Sequence, residues 1–258
     1  MAITIITGAS SGIGAALALE LGRRGHRLGL IARREQSLHE LAERIRTKGG
    51  TAVVAAADVT DRSAVERAVT AIEAELGPCD LLIANAGGDV KSPPHDVRIT
   101  DWLAVMRLNF DGVVHAVGAT LPGMLSRGRG HISVVSSQGR MRGFPGIGPY
   151  AASKAAVTTL FESLRQDLKP HGIAVTAIHP GYVSSELTAQ NHFDMPGLMS
   201  AERAAVIIAD GLERSPSRID FPWGTTLQIR LVSLLPDFLF DWLMRRVAPP
   251  IHATVATK

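Results

Sequence analysis

Short apolar runs alternate along the chain with longer stretches in which apolar residues recur every three or four positions. The short runs are rich in β-branched residues and are bounded by glycine, proline or polar residues, which is typical of buried strands. We expect seven strands, at residues 2–7, 27–31, 51–56, 80–84, 132–135, 173–178 and 218–221. The intervening stretches predict helices. Because strands joined by such crossovers pair in parallel with right-handed connections, the pattern predicts an α/β fold, a doubly wound parallel sheet of the Rossmann type with helices on both faces.

The whole chain, residues 1–258, is predicted to form a single domain. Hydrophobic residues make up 46% of it, which is enough for a full core, and we find no internal repeat and no low-complexity linker. Two segments within it carry separate expectations. Residues 223–258 are expected to form an apolar helical extension, and residues 186–200 a mobile loop over the substrate. The loop includes Asn191, His192, Phe193, Met195 and Met199.

Composition argues against several other classes of protein. The net charge of +3 is small and the basic residues are scattered, so nucleic-acid binding is not expected. The only cysteine, Cys79, allows no internal disulfide, and the amino terminus lacks a basic leader region, so we expect a cytoplasmic protein. No uncharged stretch approaches the ~18 residues that a transmembrane helix needs. No cluster of histidine and cysteine indicates a metal site.

The stretch around Ser137, Tyr150 and Lys154 carries the clearest chemistry. Tyr150 and Lys154 lie one turn apart on a helix predicted over residues 149–168, so their side chains share a face. A free tyrosine has a pKa near ~10, and stabilising its phenolate near neutral pH requires ~4 kcal/mol. A cation at ~4 Å supplies about that much at an effective dielectric constant of ~20. Ser137, at the end of the preceding strand, would add a hydroxyl donor, and two donors on one oxygen suit a substrate carbonyl.

The same spacing has a simpler interpretation. Tyr-x-x-x-Lys is common on helices, and taken alone it also fits a half-buried tyrosine beside a solvated lysine. The amino-terminal end of the chain changes that balance.

A glycine-rich turn follows the first predicted strand and leads into an Ala/Leu-rich helix. Glycines let the backbone turn tightly and approach a ligand, and the start of a helix presents free N–H groups to a phosphate. The spacing is G-x-x-x-G-x-G, which differs from the commoner G-x-G-x-x-G fingerprint, and a glycine cluster can also form a turn without binding anything. The residues of this turn are Gly8, Ser10, Ser11, Gly12, Ile13 and Gly14.

Taken together, these motifs resemble the short-chain dehydrogenase/reductases, in their shorter, non-extended branch. The match runs in order over roughly residues 2–185 and continues more weakly to about 222. Two positions depart from the family pattern: Ala84 stands where a second asparagine is common, and Ser185 where a threonine usually follows the Pro-Gly pair. The motifs that carry the resemblance are the glycine turn, Asn85-Ala86-Gly87, Asn109, Ser137, Tyr150, Lys154 and Pro180-Gly181.

The resemblance implies a reaction and a role for each catalytic residue. A hydride would pass between the nicotinamide C4 and a carbonyl or alcohol carbon. Tyr150 would be the acid/base, Ser137 would hydrogen-bond the carbonyl oxygen, and Lys154 would lower the tyrosine pKa and hold the cofactor ribose. Asn109 would help to hold a water beside the lysine. From the residues alone, Asn109 is an asparagine inside a helical pattern at residues 101–125, where asparagine is disfavoured and is either compensated or merely tolerated.

The resemblance also implies the cofactor, NADP(H) rather than NAD(H). Arg33 occupies the position where an acidic residue would bind the adenosine ribose and an arginine would accept a 2′-phosphate, although it is also compatible with a solvated arginine at a strand end. Arg34 is a weaker candidate for the same contact, and the alternative is that it pairs with solvent. Asp58 matches the position that contacts the adenine edge, or else caps the helix that follows. The remaining expected cofactor residues are Val59, Asn85, Ala86, Gly87, Tyr150, Lys154, Pro180, Gly181, Val183 and Ser185.

Two other functions fit parts of the pattern. A nucleotide-binding regulator could keep the fold without turnover, but it would not need Ser137, Tyr150 and Lys154 together. A sugar-nucleotide epimerase or dehydratase shares the tyrosine and lysine, but such enzymes resemble the extended branch, for which this chain is too short. We therefore expect an oxidoreductase that reduces an apolar or amphipathic ketone or aldehyde.

The carboxyl-terminal segment concentrates aromatic residues. Apolar positions at helical spacing on either side of Pro236 predict two short amphipathic helices. We expect a partner subunit and the substrate loop to cover them, because the family resemblance implies a homodimer or homotetramer. The alternative is a membrane surface with arginines at the headgroups, which Asp237 and Asp241 would oppose on anionic lipid. The aromatic residues are Phe221, Trp223, Phe238, Phe240 and Trp242, and the arginines are Arg230, Arg245 and Arg246.

Overall fold

A computed structural model describes residues 2–90, 97–190 and 195–247. Seven parallel strands form one sheet in the order β3-β2-β1-β4-β5-β6-β7, which confirms the predicted doubly wound architecture. The strand bounds agree with the expected ones to within two residues. The strands are β1 (Ile3–Thr7), β2 (Arg27–Ala32), β3 (Thr51–Ala56), β4 (Leu81–Ala84), β5 (Gly130–Val135), β6 (Ile173–Pro180) and β7 (Arg218–Phe221).

Helices connect the strands and cover both faces of the sheet. The helix predicted over residues 101–125 is interrupted, because a π-helical turn, Arg107–Asp111, separates α4 from α5. The helices are α1 (Gly12–Arg23), α2 (Glu35–Arg46), α3 (Arg62–Leu76), α4 (Ile99–Met106), α5 (Gly112–Arg127), α6 (Gly148–Leu168), α7 (Ala201–Leu212), α8 (Trp223–Ser233) and α9 (Asp237–Val247).

The core has two layers because neighbouring residues of a strand point to opposite faces. Ile6 of β1 packs in a cluster with residues of α1, α2 and α7, whereas Ile5 packs on the other face with residues of α3, α5 and α6. Both isoleucines are fully buried. Burying a side chain of this size stabilises the fold by about 1.5–3 kcal/mol. Both core layers therefore stabilise the sheet from which the site residues extend.

The order in which successive strands join the sheet changes sides at β1. From β1 the chain adds β2 and β3 on one side, then crosses to β4 on the other side. In open parallel sheets, ligands bind in the crevice outside the carboxyl ends of the strands at such a switch point. The glycine turn follows β1 and Asn85 follows β4, so both motifs lie at this crevice.

The two helices predicted near the carboxyl terminus are present as α8 and α9. Phe240 of α9 is buried, its ring lies 6.1 Å from that of Phe144, and the Arg142 guanidinium lies 4.3 Å from its centre. Arg142 also donates to the carbonyls of Ser233 and Leu235 at 3.1 Å. The extension is therefore packed against the segment that precedes Tyr150. Other large apolar side chains of these helices are exposed, namely Trp223, Leu227, Leu231, Leu234, Phe238, Leu239 and Trp242.

Within the described parts of the chain, no helix has the length and apolar character that crossing a bilayer requires.

Candidate active site

The carboxyl ends of the strands open into a cleft of about 470 Å³, a size typical of small-molecule and cofactor sites. All but two of the residues predicted for the site line it; Gly14 and Asn109 lie behind its wall. The predicted residues that line it are Gly8, Ser10, Ser11, Gly12, Ile13, Arg33, Asp58, Val59, Asn85, Ala86, Gly87, Ser137, Tyr150, Lys154, Pro180, Gly181, Val183 and Ser185.

Ser137 and Tyr150 meet at the middle of this cleft. Ser137 follows β5, and Tyr150 lies in the first turn of α6. Both side chains lie close to Gly139, since a Cβ there would be 3.5 Å from the Ser137 Oγ and 3.8 Å from the Tyr150 Cε1, and the Ser137 hydroxyl accepts from the Gly139 N–H at 3.1 Å. Burial raises the pKa of Tyr150 to about 12, against the opposing effect of the nearby Ser137 hydroxyl. Tyr150 is therefore a neutral phenol at physiological pH, with its hydroxyl held beside a second hydroxyl.

Lys154 lies one helical turn beyond Tyr150 and is almost fully buried. Its Nζ donates to the carbonyl of Val135 at 2.9 Å and lies 5.8 Å from the centre of the Tyr150 ring. Burial lowers the pKa of Lys154 to about 8. The predicted lowering of the tyrosine pKa by Lys154 stays a prediction, since in the polypeptide alone the ammonium points to a backbone carbonyl and burial is the dominant effect at Tyr150.

Asn109 lies in the π-helical turn and is fully buried. Its amide accepts from the Gly88 N–H at 2.8 Å and donates to the Gly88 carbonyl and to the Ser153 hydroxyl, both at 2.9 Å. These three bonds and the π turn are the compensation that an asparagine inside a helix requires. A Cβ placed on Gly87 would lie 3.1 Å from both the Asn109 Oδ1 and the Lys154 Nζ. Asn109 is thus beside the lysine, and π turns recur at functional sites; its predicted role with a water stays a prediction.

The glycine turn is shaped by two residues in the left-handed region, Gly8 with φ of 66° and Gly12 with φ of 54°. A Cβ on Gly14 would lie 2.3 Å from the Gly8 carbonyl oxygen, so Gly14 lets α1 start against the turn. The Asn85 amide donates to the carbonyls of Thr7 and Gly8 at 3.0 and 3.1 Å. These two bonds join the end of β4 to the end of β1 and to the start of the glycine turn.

Arg33 and Asp58 line the end of the cleft that is predicted to bind the adenosine. The Arg33 side chain is 71% exposed and its Nη1 lies 3.8 Å from the Asp58 carboxylate. Asp58 accepts from the N–H and hydroxyl of Thr60, both at 2.9 Å. It does not cap the following helix, because Asp61 accepts from the N–H of Ala64 instead. The capping alternative for Asp58 is therefore wrong.

The alternative that Arg34 pairs only with solvent is wrong, because its side chain contacts two residues of the protein. Its Nη1 lies 2.9 and 3.0 Å from the two carboxylate oxygens of Glu186, and its Nε donates to the Ser10 hydroxyl at 3.2 Å. Glu186 begins the predicted substrate loop. The pair joins residues 152 positions apart in the chain, so no local spacing could have indicated it.

The predicted substrate loop is held at both ends. Val183 pairs with Met199, with the Met199 N–H donating to Tyr182 and the Ser184 N–H donating to Met199. A short 3₁₀ turn, Thr188–Gln190, lies between these ends. Asn191, His192 and Phe193 lie outside the described residues.

Gln138 is a site neighbour that the sequence did not indicate. It follows Ser137 and is buried, and its Nε2 donates to the Thr226 hydroxyl at 2.6 Å and to the Phe221 carbonyl at 2.9 Å. These bonds tie the residue after Ser137 to β7 and α8. Its position beside Ser137 is the one signal that could have drawn attention to it.

Comparisons with known proteins identify the family of this chain. A family model described as short chain dehydrogenase matches residues 2–195. An uncharacterized oxidoreductase of Myxococcus xanthus is 39% identical over 243 residues, covering 94% of this chain and 96% of its own. Gluconate 5-dehydrogenase of Gluconobacter oxydans is 38% identical over 184 residues, covering 71% and 72%.

Solved structures give the same result. An actinorhodin polyketide ketoreductase with NADPH superposes with a TM-score of 0.78 at 26% identity, covering 86% of this chain and 97% of its own. A short-chain dehydrogenase/reductase from Burkholderia phymatum in complex with NAD superposes with a TM-score of 0.83 over 89% and 92%; at 24% identity it supports the fold alone. The resemblance seen in the motifs is confirmed: this chain belongs to the short-chain dehydrogenase family of oxidoreductases.

Proposed function

We propose that this chain is an NADP(H)-dependent oxidoreductase that reduces an apolar or amphipathic ketone or aldehyde. One observation carries the proposal. The hydroxyls of Ser137 and Tyr150 and the buried Lys154 line the same cleft as the glycine turn. A dinucleotide site and a proton-donor site therefore share one space.

The cleft suits a nicotinamide dinucleotide, which would supply the hydride. The turn from Gly8 to Gly12 and the start of α1 would hold its pyrophosphate, since free N–H groups and the positive end of the helix dipole favour an anion there. Arg33 and Asp58 would hold the adenosine end and Lys154 the other ribose. The remaining contacts would come from Asn85, Ala86, Gly87, Pro180, Gly181, Val183 and Ser185.

The preference for NADP(H) is supported by the end of β2. This strand ends at Ala32 and is followed by Arg33 and Arg34, so guanidinium groups stand where a carboxylate would select NAD. Arginine binds phosphate with charge-assisted hydrogen bonds. Relatives with NADPH and with NAD both share the fold, so the preference rests on these two side chains.

The protonation states equip the site to donate a proton to a carbonyl oxygen. With a pKa of about 12, Tyr150 holds its proton until an oxygen that gains negative charge lies against it, and Ser137 donates to the same oxygen. Lys154, with a pKa of about 8, exchanges protons near neutral pH and is placed beside Asn109. The chain thus offers a proton donor, an oxygen-binding hydroxyl and a buried ammonium group from which the proton can be replaced.

The substrate class is proposed from the cleft wall. Leu108 and Leu187 line the cleft, and Ile147 lies near Gly139, beside the Ser137 and Tyr150 side chains. Apolar walls with a few polar groups select apolar or amphipathic compounds.

We also propose a homodimer or homotetramer. Exposed apolar side chains on α4 and on the carboxyl-terminal helices support this, since surfaces of this kind are typical of protein contacts. Those on α4 are Ile99, Trp102 and Leu103.

A screen of ketones and aldehydes tests the function. Purified protein is incubated with NADPH or NADH and each compound, and cofactor oxidation is followed by absorbance. We expect turnover with apolar carbonyl compounds and NADPH, at higher kcat/KM than with NADH. Tight NADPH binding without turnover across a broad panel would favour a nucleotide-binding regulator instead.

A further inference from the structure

An acidic side chain lies at the mouth of a cleft that is otherwise suited to an anion. Glu186 contacts Arg34 through both of its carboxylate oxygens, at 2.9 and 3.0 Å. Arg34 simultaneously donates to the hydroxyl of Ser10, in the glycine turn. One guanidinium therefore joins the glycine turn to the first residue of the predicted substrate loop.

The position of Glu186 is set by its neighbours in the chain. Ser185 lies directly against the glycine turn, since a Cβ on Gly12 would be 3.2 Å from the Ser185 Cβ. The Ser185 N–H donates to the Thr188 hydroxyl at 2.9 Å, and that hydroxyl donates to the Val183 carbonyl at 2.8 Å. These contacts hold the backbone of Glu186 at the rim, where Ser10, Arg33, Arg34 and Glu186 all line the cleft.

Both Glu186 oxygens contact one guanidinium nitrogen, Nη1 of Arg34, and carboxylate and phosphate both accept charge-assisted hydrogen bonds from arginine, so the two anions can compete for it. Arg34 lies at the adenosine end, next to the arginine that the proposed function assigns to the 2′-phosphate. The pair is solvent-accessible, with 47% of the Arg34 side chain and 68% of the Glu186 side chain exposed. An ion pair at this exposure is weak, so an incoming phosphate is able to displace the carboxylate.

We propose that Glu186 is an internal competitor for Arg34. Its carboxylate occupies the guanidinium that the 2′-phosphate of NADP(H) takes over on binding, and Glu186 thereby reduces the preference for NADP(H) over NAD(H). This inference rests on the proposed function, because it requires the 2′-phosphate to reach Arg34. In the contrary arrangement the ion pair between Arg34 and Glu186 stays closed over the bound nucleotide as a clamp. Removing the Glu186 charge would then weaken NADPH binding instead of tightening it.

The test is Glu186→Gln, which removes the charge and nearly keeps the shape. Dissociation constants for NADPH and NADH are measured by fluorescence titration, without any substrate. We expect NADPH to bind about two- to fivefold more tightly, in line with the range for an exposed ion pair, and NADH to change less. At about 1 M ionic strength, where the Debye length falls to ~3 Å, the difference from the wild-type protein should shrink.

Two further variants isolate the pair. In an Arg34→Gln background, Glu186→Gln should no longer tighten NADPH, because the competed group is absent. Glu40→Gln removes an equal charge from the exposed face of α2, where Glu40 accepts from Gln36, and should leave both constants unchanged.

Weaker NADPH binding by Glu186→Gln would favour the clamp and overturn the proposal. Equal tightening of NADPH and NADH, or tightening that persists with Arg34→Gln, would overturn it as well. A third outcome separates this proposal from the proposed function. If the wild-type protein prefers NADPH, Arg33→Ala abolishes that preference, and Glu186→Gln changes neither dissociation constant, then the competition between Glu186 and the 2′-phosphate is refuted while the proposed cofactor preference stands. If the wild-type protein binds NADH as tightly as NADPH, the proposed cofactor preference fails and the competition fails with it.

Discussion

The two ends of the cleft differ in how far they are removed from water. At the catalytic end Lys154 is buried, and burial shifts the pKa of Tyr150 up to about 12 and that of Lys154 down to about 8. At the adenosine end Arg33 is 71% exposed and its ion pair with Asp58 spans 3.8 Å. Interactions between charges are strong in the interior and screened at the surface. Substitutions should therefore have large effects on chemistry at one end and graded effects on affinity at the other.

The largest effect is expected from Tyr150→Phe. Phenylalanine keeps the ring and removes the hydroxyl that donates the proton, and general acid catalysis typically contributes about 10²–10⁴-fold to the rate. We expect kcat to fall by that factor while the thermal midpoint and the NADPH affinity stay close to wild type. Steady-state kinetics, thermal unfolding and fluorescence titration of the same preparation check this. Near wild-type kcat would remove Tyr150 from its proposed role.

Lys154→Met should alter the pH dependence of stability. The folded pKa of Lys154, about 8, lies below its ordinary value of 10.5, so the unfolded chain binds the extra proton between these values. The wild-type free energy of unfolding should then rise as pH increases from about 8 to about 10.5, by up to roughly 3 kcal/mol from this group. Below pH 8 the charged lysine is buried and its full cost is present.

Methionine has no charge to bury, so the stability of Lys154→Met relative to wild type should be most favourable at pH 7 and decline toward pH 10. Denaturant unfolding of both proteins at pH 7 and pH 9.5 measures this difference. Lys48→Met is a matched control, because Lys48 lies on the exposed surface at the end of α2. An unfolding difference for Lys154→Met that does not change with pH would contradict the shifted pKa.

Arg33→Ala should affect the cofactor and not the chemistry. Loss of charge-assisted hydrogen bonds worth ~1.5–3 kcal/mol would weaken NADPH roughly 10- to 150-fold and leave NADH little changed. The kcat at saturating NADPH should stay near wild type, because Arg33 is at the far end of the cleft from Tyr150. Equal weakening of both nucleotides would refute a contact with the 2′-phosphate.

The parts of this molecule that could be predicted share one property, which is that their signals are local in the chain. The strand pattern, the glycine turn and the four-residue spacing of Tyr150 and Lys154 each depend on neighbours a few positions away. The sheet then brings these segments to one edge by rules of connectivity. Fold and catalytic cluster were accordingly predicted together.

The parts that could not be predicted depend on contacts between distant segments. Arg34 meets Glu186 across 152 positions, and Gln138 meets Thr226 across 88. The direction of the Lys154 ammonium toward the Val135 carbonyl depends on how deeply α6 packs against β5. Such choices are made by tertiary packing, which a spacing of residue types does not encode.

The smallest effect is expected from the carboxyl-terminal extension. Deleting the residues after Pro236 removes α9 and its contact with Phe144, near Tyr150, but none of the residues around the glycine turn. We expect KM for the carbonyl substrate to rise a few-fold or the oligomer to change, with NADPH affinity retained. Phe240→Ala should reproduce the rise in KM, because the Phe240 side chain is buried against Phe144. Phe238→Ala should not, because the Phe238 side chain is 70% exposed.

Light scattering and substrate kinetics on the truncated protein measure these effects. An unchanged oligomer and KM, together with co-sedimentation of the intact protein with anionic vesicles, would support membrane contact by these helices and contradict the subunit and substrate-loop contacts.

The most direct test of the account is a paired measurement on Tyr150→Phe and Arg33→Ala. For each variant, kcat at saturating cofactor and the dissociation constant of NADPH are determined in the same buffer. The account predicts a crossed result: Tyr150→Phe loses kcat and keeps NADPH affinity, and Arg33→Ala loses NADPH affinity and keeps kcat. If the two variants lose both quantities in parallel, the cleft does not divide into a catalytic end and a nucleotide-selecting end, and the assignment of roles along it is wrong.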